Sequence, residues 1–165
     1  MTYISFRVPG EPRGKGRPRA SRMGNNIRLY TDAKTAAYEN LVALACQRAM
    51  QDEGLSALTG ALGISVLSYH GVPKSASKAK REQMLKNYVR PTKKPDLDNI
   101  VKAVLDGMNG IAFADDVQIV HIVAHKLYSA EPCLLVSVFM LRTLRYPISI
   151  PSTAKTSTSH ARMVT

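Results

Sequence analysis

Hydrophobic and polar positions alternate along this chain in two periods, and each period predicts one kind of element. Residues 2–8 alternate at every second position and predict a half-buried strand. A helical period follows a cap at Thr31 or Asp32, and its apolar positions, through about Met50, are Ala37, Leu41, Leu44 and Ala45. Residues 61–69 predict a second strand, and residues 75–88 predict a basic helix.

The second half of the chain contains the clearest helical pattern. An apolar stripe begins after Pro95 and ends before the Asn109-Gly110 stop, and its members are Leu97, Ile100, Val101, Val104, Leu105 and Met108. Residues 117–128 are apolar on both faces, which predicts a central strand. Residues 133–141 predict its antiparallel hairpin partner.

These elements predict a single folded domain followed by a tail. The fold class is α/β (α+β), with a mixed β-sheet packed by helices over residues 1–145, a length that can bury a core. Residues 146–165 are rich in Pro, Ser and Thr and predict a flexible tail without a catalytic role. No apolar run could span a bilayer and no signal-peptide segment is evident, so we expect a cytoplasmic protein without a membrane partner.

The composition favours a polyanionic partner. Lys and Arg number 23 against 12 Asp and Glu, a formal net charge of +11, and nucleic acid is the commonest partner of such a chain. The two cysteines, Cys46 and Cys133, have apolar neighbours and no zinc-type spacing, so we expect reduced core residues.

Positive charge is concentrated in two stretches. The first begins at Arg13 and continues to Arg22. Its Gly and Pro residues exclude regular structure, so we expect its cations on a loop or flexible arm. Such an arm can follow a phosphate backbone without contacting bases, although a solvated linker is the alternative. The second stretch leads from the basic helix into an acidic motif. The predicted DNA contacts are Arg13, Lys15, Arg17, Arg19, Lys93 and Lys94.

The acidic motif is Asp96-Leu97-Asp98, directly after Pro95. Two aspartates at i and i+2 converge only when the first precedes the helix, and Pro95 favours a helix that starts there. Asp98 then lies in the first turn, where the helix dipole stabilises a carboxylate, and Lys102 follows one turn later. Carboxylate oxygens of this kind suit Mg²⁺, which can orient and acidify water beside a phosphate.

A second acidic pair, Asp115-Asp116, comes just before the predicted central strand. Together with the surrounding charge it favours metal-assisted phosphodiester cleavage. The alternative is structural: Asp96 would be a plain helix cap, and Lys102 would form an i,i+4 ion pair with Asp98 or Asp106.

These motifs resemble the RusA family of Holliday junction resolvases. The likeness runs from about residue 3 to 141 and is most specific at 94–106, 109–110 and 115–120, with support from 14–19 and 30–31. It implies a small homodimer that binds four-way DNA junctions and nicks opposing strands with Mg²⁺, or with Mn²⁺ as a substitute. It also implies catalytic roles for Asp96, Asp98, Lys102 and Asp116, with the three aspartates as metal ligands.

Two details lie outside that resemblance. Family members often have an acid where this chain has His121, which we interpret as a strand surface residue, with a role at a metal as the alternative. The resemblance also says nothing about the Ser- and Thr-rich tail.

Two other functions are compatible with parts of the pattern. A junction-binding architectural protein would need the basic arm but not the full set of Asp96, Asp98, Asp116 and Lys102. An enzyme that holds a nucleotide or nucleotide sugar through Asp-x-Asp and metal would fit neither the high pI nor the lack of a Gly-rich phosphate loop.

Overall fold

A computed structural model of the chain describes residues 3–17, 19–23, 26–30 and 32–141. The predicted tail at 146–165 lies outside these residues, and so the domain boundary at 145 stays a prediction. No helix in the described ranges is long and apolar enough to cross a membrane.

The described residues form one small α+β domain, a mixed four-stranded sheet with three helices and a separate two-stranded ribbon, which confirms the predicted fold class. The strands are β1 (Tyr3–Pro9), β2 (Arg19–Met23), β3 (Asn26–Tyr30), β4 (Leu62–Gly71), β5 (Ile119–Ser129) and β6 (Cys133–Met140). The helices are α1 (Ala33–Asp52), α2 (Lys78–Leu85) and α3 (Leu97–Met108), and a short 3₁₀ turn (Asp116–Gln118) precedes β5.

The predicted hairpin of the last two strands is wrong, because β4 lies between them. The order in the sheet is β1-β6-β4-β5, with β4 parallel to β5 and antiparallel to β6. The short connection from β5 to β6 passes the end of β4 at Gly71, where an added Cβ would lie 3.3 Å from Pro132. A connection this short has the length of a hairpin loop, so the sequence pattern alone suggested direct pairing.

The predicted central strand is an edge strand. Among the described strands β5 pairs with β4 alone, and apolar side chains at its start are exposed: Val117 by 78%, Val120 by 64% and Ile122 by 48%. Periodicity shows that both faces of this segment are apolar, but it cannot show whether a partner strand covers them. Within the described residues, the chain therefore has an apolar edge strand with one side unpaired.

The basic stretch is more regular than predicted. It is a loop through Arg17, but Arg19–Met23 form β2 and pair antiparallel with Asn26–Tyr30 in a two-stranded ribbon. The prediction of a loop as far as Arg22 is therefore wrong. Gly and Pro occur only in the first part of the stretch, at positions 14, 16 and 18, and the residues that form β2 follow them.

One face of the sheet carries the core, and α1 and α3 cover it. The amphipathic helix predicted after Pro95 is α3, and it buries Ile100, Ala103, Val104, Gly107 and Met108. Helix α1 was assigned the wrong apolar face: Leu41 and Leu44 are 37% and 44% exposed, while its buried residues are Thr35, Tyr38, Val42, Cys46 and Met50. Helix α1 has apolar residues on several faces, so the sequence pattern does not show which face is buried. Packing against the sheet and α3 decides it.

The close contact between α1 and α3 depends on Gly107. A Cβ at this position would lie 2.8 Å from the Glu39 carbonyl oxygen and 2.9 Å from the Val42 Cβ atom. Both cysteines are free and buried, as predicted, and burial raises the pKa of Cys46 to about 11.

Candidate active site

A cleft of about 1140 Å³ opens between the segment 11–17 and the N-terminal end of α3. Its charged lining contains both signs. The cations are Arg13, Lys15, Arg17, Lys34 and Lys94, and the carboxylates belong to Glu11, Asp32, Asp96 and Asp98. The structure thus brings the Asp-x-Asp motif and most of the predicted DNA contacts to one concave surface.

Asp96 and Asp98 reach this cleft because the chain changes direction immediately before α3. Asp96 has an extended backbone, with φ −71° and ψ 147°, and α3 starts at the next residue. Its side chain makes no capping hydrogen bond, so the carboxylate is not used to close the helix. Asp98 is exposed in the first turn of α3, where the helix dipole favours a negative charge.

The segment 13–17 is pinned between the two long helices. The Lys15 amide donates to the Asn99 carbonyl at 2.7 Å, and the Gly16 amide donates to the Thr35 hydroxyl at 3.3 Å. A Cβ at Gly14 would lie 2.9 Å from the Asn99 Cβ atom and 3.1 Å from that of Pro95. This part of the predicted flexible arm is therefore a fixed wall of the cleft.

Lys15 connects this wall to both helices through ion pairs. Its ammonium lies 2.7 Å from Glu39 and 2.6 Å from Asp106, and its side chain is only 20% exposed. Burial on its own lowers the pKa of Lys15, but hydrogen bonds from its ammonium to Asp106 and Glu39 outweigh that effect and leave the pKa raised. A DNA contact by Lys15 stays a prediction, and its charge already has two carboxylate partners.

Lys102 differs from Lys15 in having no carboxylate partner among the described residues. It is exposed on α3, one turn after Asp98, and the described part of the chain contains no ion pair that includes it. Asp106, one of the partners in the structural alternative, is paired with Lys15 instead. The ion pair that the structural alternative requires is therefore not formed.

The second acidic pair has two different environments. Asp115 caps the 3₁₀ turn: its carboxylate accepts from the Val117 amide at 2.9 Å, and the Gln118 side chain completes a capping box. Asp116 is exposed and does not line the cleft; its carbonyl accepts from the Ile119 amide, but its carboxylate makes no hydrogen bond or ion pair within the described residues. Asp115 therefore has a structural role, and Asp116 is the available carboxylate of the pair.

One protomer does not bring Asp116 to Asp96 and Asp98. The Lys126 ammonium contacts the Pro95 carbonyl at 2.8 Å, so the start of α3 lies beside residue 126 of β5. Ile119, next to the 3₁₀ turn, is seven residues back along the strand, about 23 Å at roughly 3.3 Å per residue. Consistently, no group of three or more His, Cys, Asp or Glu within the described ranges could hold a metal ion.

The Asp96–Asp98 pair by itself still fits the chemistry of Mg²⁺. This ion takes oxygen ligands and is often held by one or two protein carboxylates, with water and substrate phosphate in its other positions. Both carboxylates are exposed to the cleft, and the Asp96 side chain makes no capping bond. The predicted third ligand, Asp116, is not part of this cleft.

The remaining predicted residues have varied positions. Arg13, Arg17 and Lys94 line the cleft, while Lys93 is exposed beside it and uses its carbonyl to accept a bond from Lys126. The backbone of Arg19 is in β2, and its side chain lies outside what the structure describes. The His121 ring is exposed on β5 with its centroid 6.3 Å from that of Phe139.

Comparison with known proteins gives the family. A family model described as "Endodeoxyribonuclease RusA" matches residues 9–139. The chain belongs to the RusA family. It is also 40% identical over 134 residues to "Uncharacterized protein YqaN" of Bacillus subtilis (strain 168), a match that covers 80% of this chain and 92% of that protein. The RusA family consists of endodeoxyribonucleases that act on DNA junctions, so nuclease activity in general and DNA as the substrate follow from membership.

In this RusA family member the cleft residue Glu11 is also joined to a buried pair, His70 and Ser68, which no sequence pattern predicted. The Glu11 carboxylate accepts from the Gly71 amide at 3.1 Å and lies 3.2 Å from Nδ1 of His70, whose Nε2 is 2.8 Å from the Ser68 hydroxyl. Burial lowers the pKa of His70, although hydrogen bonding to Glu11 opposes that shift. A neutral His70 then donates from Nδ1 to Glu11 and accepts from Ser68. No local pattern reveals a contact between residues 59 positions apart.

Proposed function

We propose that this chain is a Mg²⁺-dependent Holliday junction resolvase that nicks opposing strands of a four-way junction as a homodimer. The observation that supports it is the meeting of Asp96 and Asp98 with a cationic wall in a single cleft. Carboxylates at the centre suit a divalent ion, and cations around them suit the phosphates of a DNA strand. Mn²⁺ is expected to substitute for Mg²⁺.

Each group of side chains has its own part in this proposal. Arg13, Arg17 and Lys94 bind backbone phosphates and direct a strand into the cleft. Asp96 and Asp98 hold the divalent ion, which when bound acidifies water and stabilises negative charge on the phosphate. Lys102 has no carboxylate partner in the part of the chain that the structure describes, so it can place its positive charge against the leaving oxygen.

The distance of the third predicted carboxylate, Asp116, from the Asp96–Asp98 pair is the reason to propose a homodimer. An unpaired apolar strand edge such as that of β5 is a natural site for pairing with a second copy. In an antiparallel β5–β5 pair with its twofold axis at His121, Ile119 of one copy pairs with Val123 of the other, and the 3₁₀ turn that carries Asp116 continues along the second strand toward its residue 126. The pairing covers Val120 and Ile122, and it brings the Asp116 of a second copy close to Asp96 and Asp98. A dimer with two such sites matches paired incisions.

The direct test uses labelled four-way junctions and linear duplexes of the same sequence, each incubated with Mg²⁺, Mn²⁺ or EDTA. We expect symmetric nicks in the junction with either metal, and none in the duplex or in EDTA. Asp98→Asn is expected to abolish nicking while junction binding, measured by gel shift in EDTA, survives. Binding without metal-dependent cutting by the wild type would leave only the architectural alternative.

A further inference from the structure

Lys126 lies in the second half of β5, and its ammonium holds the chain at the point where α3 begins. It donates to the Lys93 carbonyl at 2.5 Å and to the Pro95 carbonyl at 2.8 Å. The side chain is half-buried, and the described residues include no ion pair that involves it. The two carbonyl groups are thus its partners, and they stand on either side of Lys94.

A lysine in this position has a clear physical role. Taking an ammonium partly out of water costs free energy, and charge-assisted bonds to carbonyl oxygens offset that cost. Two bonds from a single point fix the orientation of the peptide groups between Lys93 and Pro95. From His121 to Ser129 the strand that carries Lys126 pairs with β4 in unbroken register, with residue 126 opposite Ser68, so the anchor itself is rigid.

The chain that Lys126 holds leads directly into the acid pair. Asp96 is the next residue after Pro95. Its backbone is extended and its side chain makes no capping bond, so the preceding loop determines its orientation. Lys94 and Pro95 line the cleft, whereas Lys126 does not. Lys126 therefore stands behind the loop, and it acts on Asp96 and Asp98 through the backbone.

We propose that Lys126 is a positioning residue for the candidate metal site. It fixes the loop 93–95 so that the Asp96 and Asp98 carboxylates converge before a metal ion binds. This inference rests on the proposed function for the metal, but the loop itself can be observed without one. Groups that orient metal ligands from behind typically change metal affinity or activity by about 10–100-fold when removed.

The test compares wild type with Lys126→Met, Lys126→Arg and a control, Lys86→Met. Lys86 is a surface lysine of the segment after α2, paired with Glu82 and 60% exposed, so its loss should change none of the measurements. Mn²⁺ affinity is measured by calorimetry without DNA, and junction binding is measured in EDTA. Hydrogen exchange is followed at the amides of residues 100–103, the first of which, in Ile100, donates to the Asp96 carbonyl at 3.1 Å. Lys126→Met is expected to weaken Mn²⁺ binding by about 10–100-fold and to speed exchange at these amides.

Junction binding in EDTA should change less than about twofold in Lys126→Met, since Lys126 lies outside the cleft lining. Lys126→Arg keeps a cation with several donors and should retain most of the Mn²⁺ affinity. If Lys126→Met does not fold, Lys126→Arg and Lys126→Gln provide the comparison, with faster exchange expected for Gln than for Arg.

The proposal is overturned if the exchange of residues 100–103 in Lys126→Met and Lys126→Gln equals that of the wild type. It is equally overturned if junction binding weakens while Mn²⁺ affinity is unchanged, which would make Lys126 a DNA contact. Failure of the proposed function has a different signature: wild type that shows no Mg²⁺-dependent nicking. The exchange measurement still decides the role of Lys126 in that case.

Discussion

Lys15, Lys102 and Lys126 have the same side chain, and the fold gives each a different environment. Lys15 is shared between the carboxylates of Glu39 and Asp106, and Lys126 donates to two backbone carbonyls. Lys102 is exposed and forms no ion pair within the described residues. The three lysines contribute equally to the net charge, but we expect them to contribute differently to stability and to catalysis.

We expect Lys102→Met and Lys15→Met to separate these two roles. Lys102→Met should lower nicking by about 100-fold or more and leave the free energy of unfolding within about 0.5 kcal/mol of wild type. Lys15→Met leaves two carboxylates without their shared partner and should lower the free energy of unfolding by about 2 kcal/mol. Urea unfolding and a single-turnover junction assay measure the two quantities. Near wild-type nicking by Lys102→Met would remove this residue from the catalytic machinery.

Asp115 and Asp116 make the same point for carboxylates. The two are neighbours of one residue type, yet Asp115 is used in a capping box and Asp116 is exposed. The sequence pattern Asp-x-x-Gln over 115–118 is a recognisable cap signal, so the structural role of Asp115 could have been found from the chain alone.

At the scale of elements, the loop segment 13–17 and the start of α3 form one unit. Gly14 allows the segment to pass within van der Waals contact of Asn99, and backbone bonds hold it in place. Arg13 and Arg17 are consequently presented from a fixed wall, which lowers the entropy lost when they bind phosphates.

Replacing Arg13 and Arg17 singly by Ala should weaken junction binding and reduce the salt dependence of the binding constant. Each lost phosphate contact is expected to lower the slope of log K against log salt by roughly 0.9. Arg48→Ala is the matched control, since Arg48 is exposed on α1 and lies outside the cleft. Equilibrium binding is measured in EDTA over a series of salt concentrations. A slope identical to that of wild type would make the segment a solvated linker.

For strand β5 the predicted sequence range is close to the observed one, but the predicted position in the sheet is wrong. Its apolar residues on both faces predict a strand with a partner strand on each side, and among the described strands only β4 pairs with it. In the proposed dimer a second β5 covers the other edge. The sequence pattern is then that of an internal strand in the assembly.

At the scale of the whole molecule, Asp116 lies far from the Asp96–Asp98 pair, and this distance allows a test of whether two copies share each site. If each site takes Asp116 from the second copy, Asp98→Asn and Asp116→Asn subunits complement each other. Their heterodimer contains one site with all three carboxylates and one site with neither Asp98 nor Asp116. Two inactive variants, mixed and allowed to exchange subunits, should then regain nicking of one strand.

Mixtures of each variant with itself are the control, and native mass spectrometry of differently tagged subunits confirms that exchange has occurred. Sites contained within single protomers predict no recovery, because every site then lacks one carboxylate. A monomer in solution would also contradict the shared site. The single-strand nick expected of the mixture is readily distinguished from the paired nicks expected of wild type.

The sequence by itself determined those features that depend on local order. The stripe after Pro95 predicted α3, because a helix buries positions spaced three and four apart, and the break at Pro95 predicted the start that brings Asp96 and Asp98 together. The motifs around them also identified the family correctly. Net charge indicated DNA before any fold was known.

Only the tertiary structure decided features that depend on which distant segments meet. It placed β4 between β5 and β6, and it used Lys15 to join α1 to α3. It also showed that Asp116 is far from Asp96 along β5, and that Lys126 stands behind the loop before α3. The reason is physical: local periodicity reports which face of a segment is buried, while packing, register and ion pairing depend on partners remote in sequence.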